Sequence, residues 1–185
     1  MPFRFYKALS FGVVAFALVS SCQESPKAVN PPAINPDKLK NQFIKANQQV
    51  VAKENDEMDY YQKSHHLSFI KTKEGVRYYV YKPAPLKCDP VRDGAIVTIN
   101  YTVSLLDGTE CYSSRTEGPK EFKVGMDNLE DGLHKAMLYL KEHDKALIMI
   151  PSHLAHGLLG DSRKIPPQVP ILYDIEILNV NNLAH

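Results

Sequence analysis

Between residues 95 and 105 apolar and polar side chains alternate without a break. Ala95, Val97, Ile99, Tyr101, Val103 and Leu105 fall on one side, and Thr98, Asn100, Thr102 and Ser104 on the other. A period of two marks a strand with one buried face. The period returns near the end of the chain, where Ile171, Tyr173, Ile175 and Ile177 share one face and Asp174 and Glu176 the other. Asp107-Gly108 predicts a hairpin turn into a short strand. A polar loop follows at 115–120, and then a strand that points Phe122 and Val124 inward. Upstream, LSFIKTKEGVRYYVYK breaks at Glu74-Gly75 and reads as a hairpin. Pro83 to Gly94 is loop, and 145–150 is one more strand.

Two stretches carry the helical period instead. Leu129, Leu133, Ala136, Met137 and Leu140 fall at i, i+4, i+7, i+8 and i+11, a continuous apolar face, with Asn128 as the expected N-cap. Residues 38–64, within a segment 38–66 that lacks Gly and Pro, read as a second helix capped by Asp37. Its stripe of Leu39, Phe43, Val50, Val51, Met58 and Tyr61 is interrupted by polar residues. That suits a solvated helix leaning on the domain behind it better than a coiled coil or dimer helix, so a monomer is expected.

The implied class is α+β: an antiparallel sheet of about five strands with one helix across its inner face, over 67–180, preceded by the N-terminal helix. Residues 151–170 form a long loop punctuated by Gly157, Gly160 and Pro166-Pro167, with a strand at each end. A loop of this length in a compact domain is usually functional. Tyr101, Phe122, Leu133 and Tyr173 lie on faces turned toward one sheet–helix space beside it. Those spacings suit core as well as a pocket, and the neighbouring loop favours a pocket.

The 185 residues are 44% hydrophobic, enough for one domain with appendages, and Lys+Arg of 22 against Asp+Glu of 21 gives no reason to expect a nucleic-acid partner. Arg4 and Lys7 precede a short apolar run, Ala8 to Val19, that ends in Val19-Ser20-Ser21-Cys22. The run is too short for a comfortable membrane span and reads as a signal over 1–21. The ending resembles a bacterial lipobox, in which Cys22 is lipidated; the alternative is an ordinary secretory signal with a chance cysteine. Residues 22–37 hold a Pro-rich tether, and 181–185 a short tail. Removing Arg4 and Lys7 leaves 20 basic against 21 acidic side chains, so acyl chains rather than basic attraction would hold the protein to a membrane. An exported compartment permits a disulfide between Cys88 and Cys111, but their spacing does not establish one.

Other chemistries find little support. His65-His66 and the pair His153/His156 lack an HExxH frame, so no metal is expected. Ser152-His153 lacks the glycines of a nucleophile elbow, and no phosphate-binding Gly loop occurs.

YTVSLLDGTECYSSR, FKVG, LEDGLHKAM, IPSHLAHGLLG, IPP and ILYDIEIL occur in that order from about residue 92 to 180. This series resembles the FKBP-type peptidyl-prolyl cis-trans isomerases. With the lipobox, the front helix and KEGVRYYVY, it is also similar to the gliding-motility-associated lipoproteins of the Bacteroidota. The resemblance implies an FKBP-like sheet wrapped around one helix, isomerase activity without a cofactor, and X–Pro segments of exported or envelope proteins as partners. It places Tyr101, Phe122, Leu133 and Tyr173 in the catalytic pocket. Around them it places Cys111, Tyr112, Leu129, Glu130, His156 and Ile165, with the Glu130 backbone N–H receiving the substrate carbonyl. Cys111, Tyr112 and His156 depart from the usual residues and make the pocket more polar and less aromatic. The activity expected is therefore low for the family, and a binding or chaperone module of the same fold is the alternative.

Overall fold

The computed structural model describes residues 35–182, so the expected signal, Cys22 and most of the tether and tail lie outside the described residues. The sheet is built on β3 (Ile96–Leu105), where the alternation is strongest; its inward positions from Val97 to Val103 are buried and the others half-buried. Along one edge β3 pairs antiparallel with β7 (Ile171–Asn181), from Ile96↔Asn181 to Leu105↔Ile171. Its other edge is shared by β4 (Glu110–Ser113) and β5 (Lys120–Lys123). Beyond β7 lie β6 (Lys145–Ile150), β2 (Arg77–Lys82) and β1 (Ile70–Lys71), giving the order β1-β2-β6-β7-β3-β4 with β5 beside β3. The sheet thus has seven strands rather than about five, the additional ones being short.

The inner face packs on α3 (Asp131–Met137). The apolar face read from the sequence is correct, since Leu133, Ala136, Met137 and Leu140 are all buried, but the helix is shorter than expected. Asn128 is not its cap and Leu129 lies outside it; Glu130 is the extended residue before the first turn, with no side-chain cap. The reason is His134. Its ring accepts the Gly125 N–H at 2.9 Å through Nδ1 and meets the Asp127 carbonyl at 3.0 Å through Nε2, which holds 125–130 in a turn. Gly132 lets α3 approach β6: a Cβ there would lie 2.2 Å from Ile150 Cγ2. The expected polar loop at 115–120 begins as a one-turn helix, α2 (Ser114–Glu117), capped by the Ser113 side chain.

On the opposite sheet face lies α1 (Pro36–Ser64). It starts two residues earlier than expected, because proline is well suited to a first helical position, where no N–H is needed; Asp37 sits in the first turn instead of capping it. The solvated-helix reading holds for its first half, where every residue from 36 to 49 is exposed. The second half leans on the domain, as expected, and buries Glu54 and Met58 there. Met58 is 1% exposed and forms a separate small core with Met149 and Leu172, side chains that point away from α3. Next to it, the Arg77 guanidinium bonds to Asp59 at 2.5 Å and to the Asn55 carbonyl at 3.2 Å. Cys88 and Cys111 are both free thiols.

Because α1 covers apolar sheet residues, Met58→Ala is expected to lower the unfolding free energy by about 2–5 kcal/mol, the usual range for such a core truncation. A chain beginning at residue 67 should lose more than that. Denaturant titration checks both; a wild-type midpoint in Met58→Ala would mean that α1 only rests on the sheet.

Candidate active site

The β3–β7 register brings the candidate residues together. Val103 pairs with Tyr173 and Tyr101 with Ile175, so the two tyrosines are diagonal neighbours on the inner face, with ring centroids 6.4 Å apart. They line a cleft of ≈ 460 Å³ together with Tyr112, Glu130 and His156. Leu133, Ile165, Phe122 and Cys111 belong to the apolar core that the two tyrosines cap, each at most 3% exposed. Leu129 is half-buried against that core and opens onto an adjoining groove with His153 and His156.

Leu133, Ile165, Phe122 and Cys111, four expected site residues, therefore sit below the cleft rather than on its surface. Phe122 meets the His134 ring edge-on at 5.7 Å, while Lys120, two residues earlier on the same strand face, reaches the cleft. Cys111 directs its Sγ toward the Thr109 and Lys164 carbonyls, both at 3.7 Å. Burial raises its thiol pKa.

The rim is polar. Tyr101 donates its hydroxyl to Glu117 Oε2 at 2.6 Å. Burial, then that acceptor, pushes its phenol up to about 12. His156 Nε2 lies 3.1 Å from Glu130 Oε1. Glu130 Oε2 is buried with no hydrogen-bond partner among the described residues. Burial, then the Glu130 carboxylate, holds the Tyr173 phenol well above its ordinary range. The Glu130 N–H, which precedes α3, likewise has no acceptor among the described residues.

Asp161 organises the loop wall. Its Oδ1 accepts the N–H groups of Arg163, Lys164 and Ile165 at 2.8, 2.9 and 2.8 Å, and its Oδ2 accepts the Tyr112 hydroxyl. Gly160 makes this fold-back possible: at φ 66° a Cβ would sit 2.2 Å from the Ile165 carbonyl oxygen. The sequence reading missed Asp161, Glu117, Lys120 and Arg163. For Asp161 a signal existed, because Asp after Gly in a loop commonly accepts backbone N–H groups two residues on. Glu117 and Lys120 carry no such signal, since only the fold brings them to Tyr101 and the cleft.

A seven-stranded antiparallel sheet, one short helix on its inner face and a cleft bounded by the sheet, the residue before that helix and the long β6–β7 loop define an FKBP-like fold. The sequence profile of FKBP-type peptidyl-prolyl cis-trans isomerase matches residues 88–178. FK506-binding protein 2 of Yarrowia lipolytica is 33% identical over 103 residues, 55% of this chain and 72% of its own length. FK506-binding protein 1 of Debaryomyces hansenii is 36% identical over 91 residues, 49% of this chain and 81% of its own. The crystal structure of FkpA from Escherichia coli superposes with a TM-score of 0.59 at 24% identity, over 80% of this chain and 74% of that one. The chain belongs to the FKBP-type peptidyl-prolyl cis-trans isomerases.

Burial alone would raise the Asp161 carboxyl, but the Tyr112 hydroxyl and the three N–H groups outweigh it and hold it at about 2. With the folded value depressed, this contribution to loop stability is present above the unfolded value of ~3.9 and is lost as pH falls toward 2. The partner shows the converse: the Asp161 hydrogen bond, then burial, raises the Tyr112 phenol to about 12. Asp161→Asn should return one tyrosine toward ~10 in an ultraviolet pH titration. An unchanged titration in Asp161→Asn would mean that this pair does not set the Tyr112 ionisation.

Proposed function

We propose that this isomerase acts on X–Pro bonds of exported or envelope proteins, and that a lipid on Cys22 tethers it to a membrane. The observation that carries the site assignment is the juxtaposition of the uncommitted Glu130 N–H with the Tyr101–Tyr173 wall over buried Leu133 and Ile165. Rotation about a peptide bond faces a barrier of ~18–20 kcal/mol because resonance keeps the amide planar. For X–Pro both isomers are populated and exchange is slow. No nucleophile is needed to speed it. A site that fits the twisted amide better than the planar one lowers the barrier, and each ~1.4 kcal/mol of that preference gives tenfold in rate. In this cleft the Glu130 N–H holds the substrate carbonyl, the two tyrosine rings pack against the proline ring, and the apolar floor excludes water.

The charged rim tempers this. The Glu130 carboxylate and His156 meet at 3.1 Å across the entrance, where an apolar contact would better favour the less polar twisted amide. That contact supports the second reading, a weakly catalytic binding module of a gliding-motility or secretion apparatus. A protease-coupled assay on a Leu-Pro peptide separates the two. Wild type should exceed the buffer rate, and Glu130→Ile, which keeps the N–H and removes the carboxylate, should raise kcat/KM by ~10-fold. No rate above buffer in either protein would leave only the binding reading.

The lipid proposal rests on Val19-Ser20-Ser21-Cys22 behind an apolar run. The mature chain should partition into detergent, and Cys22→Ala should either release it or leave the signal uncleaved. A processed Cys22→Ala chain that stays membrane-bound would refute the anchor.

A further inference from the structure

The loop that carries His156 is gripped at its root by a residue from the far side of the sheet. Glu54, in the docked half of α1, is 1% exposed. Its Oε2 accepts the Ser152 backbone N–H at 2.8 Å and its Oε1 accepts the Ser152 hydroxyl. The Ser152 carbonyl accepts the N–H groups of Ala155 at 2.9 Å and Gly157 at 2.7 Å, closing the turn that aims His156 at Glu130. The Gly157 carbonyl then accepts the Gln168 N–H at 3.0 Å, which ties in the returning end of the loop. A buried carboxylate is costly to desolvate, and an apolar residue would cover the sheet as Met58 does one turn later. What the carboxylate supplies is direction, because two charge-assisted hydrogen bonds converge on one residue.

We propose that Glu54 is a positioning residue for isomerisation: it fixes Ser152, and through Ser152 the orientation of residues 153–157 at the cleft. Helix α1 is then part of the apparatus that shapes the site. This rests on the cleft being the isomerase site. The Glu54–Ser152 pair contacts no substrate and acts only through the loop.

The test uses the full chain, with kcat and KM measured separately on a Leu-Pro peptide and amide hydrogen exchange followed at Ala155 and Gly157. Glu54→Ala and Ser152→Ala should each lower kcat/KM by ~10-fold or more, the scale on which small misplacements of a site cost rate. Both should speed exchange at Gly157. Glu54→Gln, which keeps an acceptor for the Ser152 N–H, should recover most of the rate. Asp59→Ala serves as the control: it removes a partner of Arg77 at the same helix–sheet junction and should reduce stability while leaving kcat/KM unchanged. The proposal is overturned if Glu54→Ala changes the rate no more than Asp59→Ala does, or if exchange at Gly157 is unaltered. Should Glu54→Ala fail to fold, Ser152→Ala decides, and wild-type kcat/KM in that variant overturns it. A wild-type protein without isomerase activity would sink the reading of the cleft, yet Gly157 exchange would still report whether Glu54 holds the loop.

Discussion

The pairing of β3 with β7 is the constraint on which the site depends. It runs the length of β3, with one irregularity between Thr98 and Ile99. A slip of one residue in a sheet with one buried face turns every side chain to the wrong side. Here it would send Tyr101 or Tyr173 to the outer face and Asp174 or Thr102 into the core. Past β7, β6 delivers Pro151 and Ser152 to the root of the long loop, so the loop wall and the tyrosine wall inherit one register. The outer face uses the same strands for another purpose: Met149 and Leu172, out of phase with the α3-facing positions, make the seat for Met58.

The cleft is apolar in depth and polar at the rim. Leu133, Ile165 and Phe122 form a buried base, and three polar pairs stand above it: Tyr101 with Glu117, Tyr112 with Asp161, and Glu130 with His156. Such pairs hold aromatic rings in place, and they also compete with a substrate for the donors and acceptors that would grip it. A substrate that used the proposed Glu130 N–H would have to part the Glu130–His156 pair or lie above it.

The strands could be read because their alternation is strict. From residue 95 to 104 and from 173 to 177 period and burial agree, while Leu172 breaks the pattern because Met58 covers it on the outer face. The start of α3 could not, because Leu129 satisfies the helical spacing while the His134 side chain, nine residues from Gly125, decides where the turn ends. The role of α1 was half legible. Its interrupted stripe does describe an exposed helix as far as residue 49, but a buried Glu54 looks in sequence like any surface glutamate until Ser152 is opposite it. In the site, Tyr101 and Tyr173 were legible because the strand period puts both on the face turned toward the sheet–helix space. The choice between Lys120 and Phe122 as the cleft-facing residue was not legible, since both lie on one face of β5 and only the depth at which each packs separates them.

The knot at Asp161 has a thermodynamic consequence. A loop of this length, if free, would surrender conformational entropy each time it closed on a ligand, on the order of 1–2 kcal/mol for every backbone residue immobilised. With one carboxylate gathering three successive N–H groups and the Tyr112 hydroxyl, that ordering is completed during folding and need not be repeated at each encounter. Association of a proline-containing chain with this wall should accordingly resemble docking onto a set surface, with the ordering cost falling on the incoming peptide.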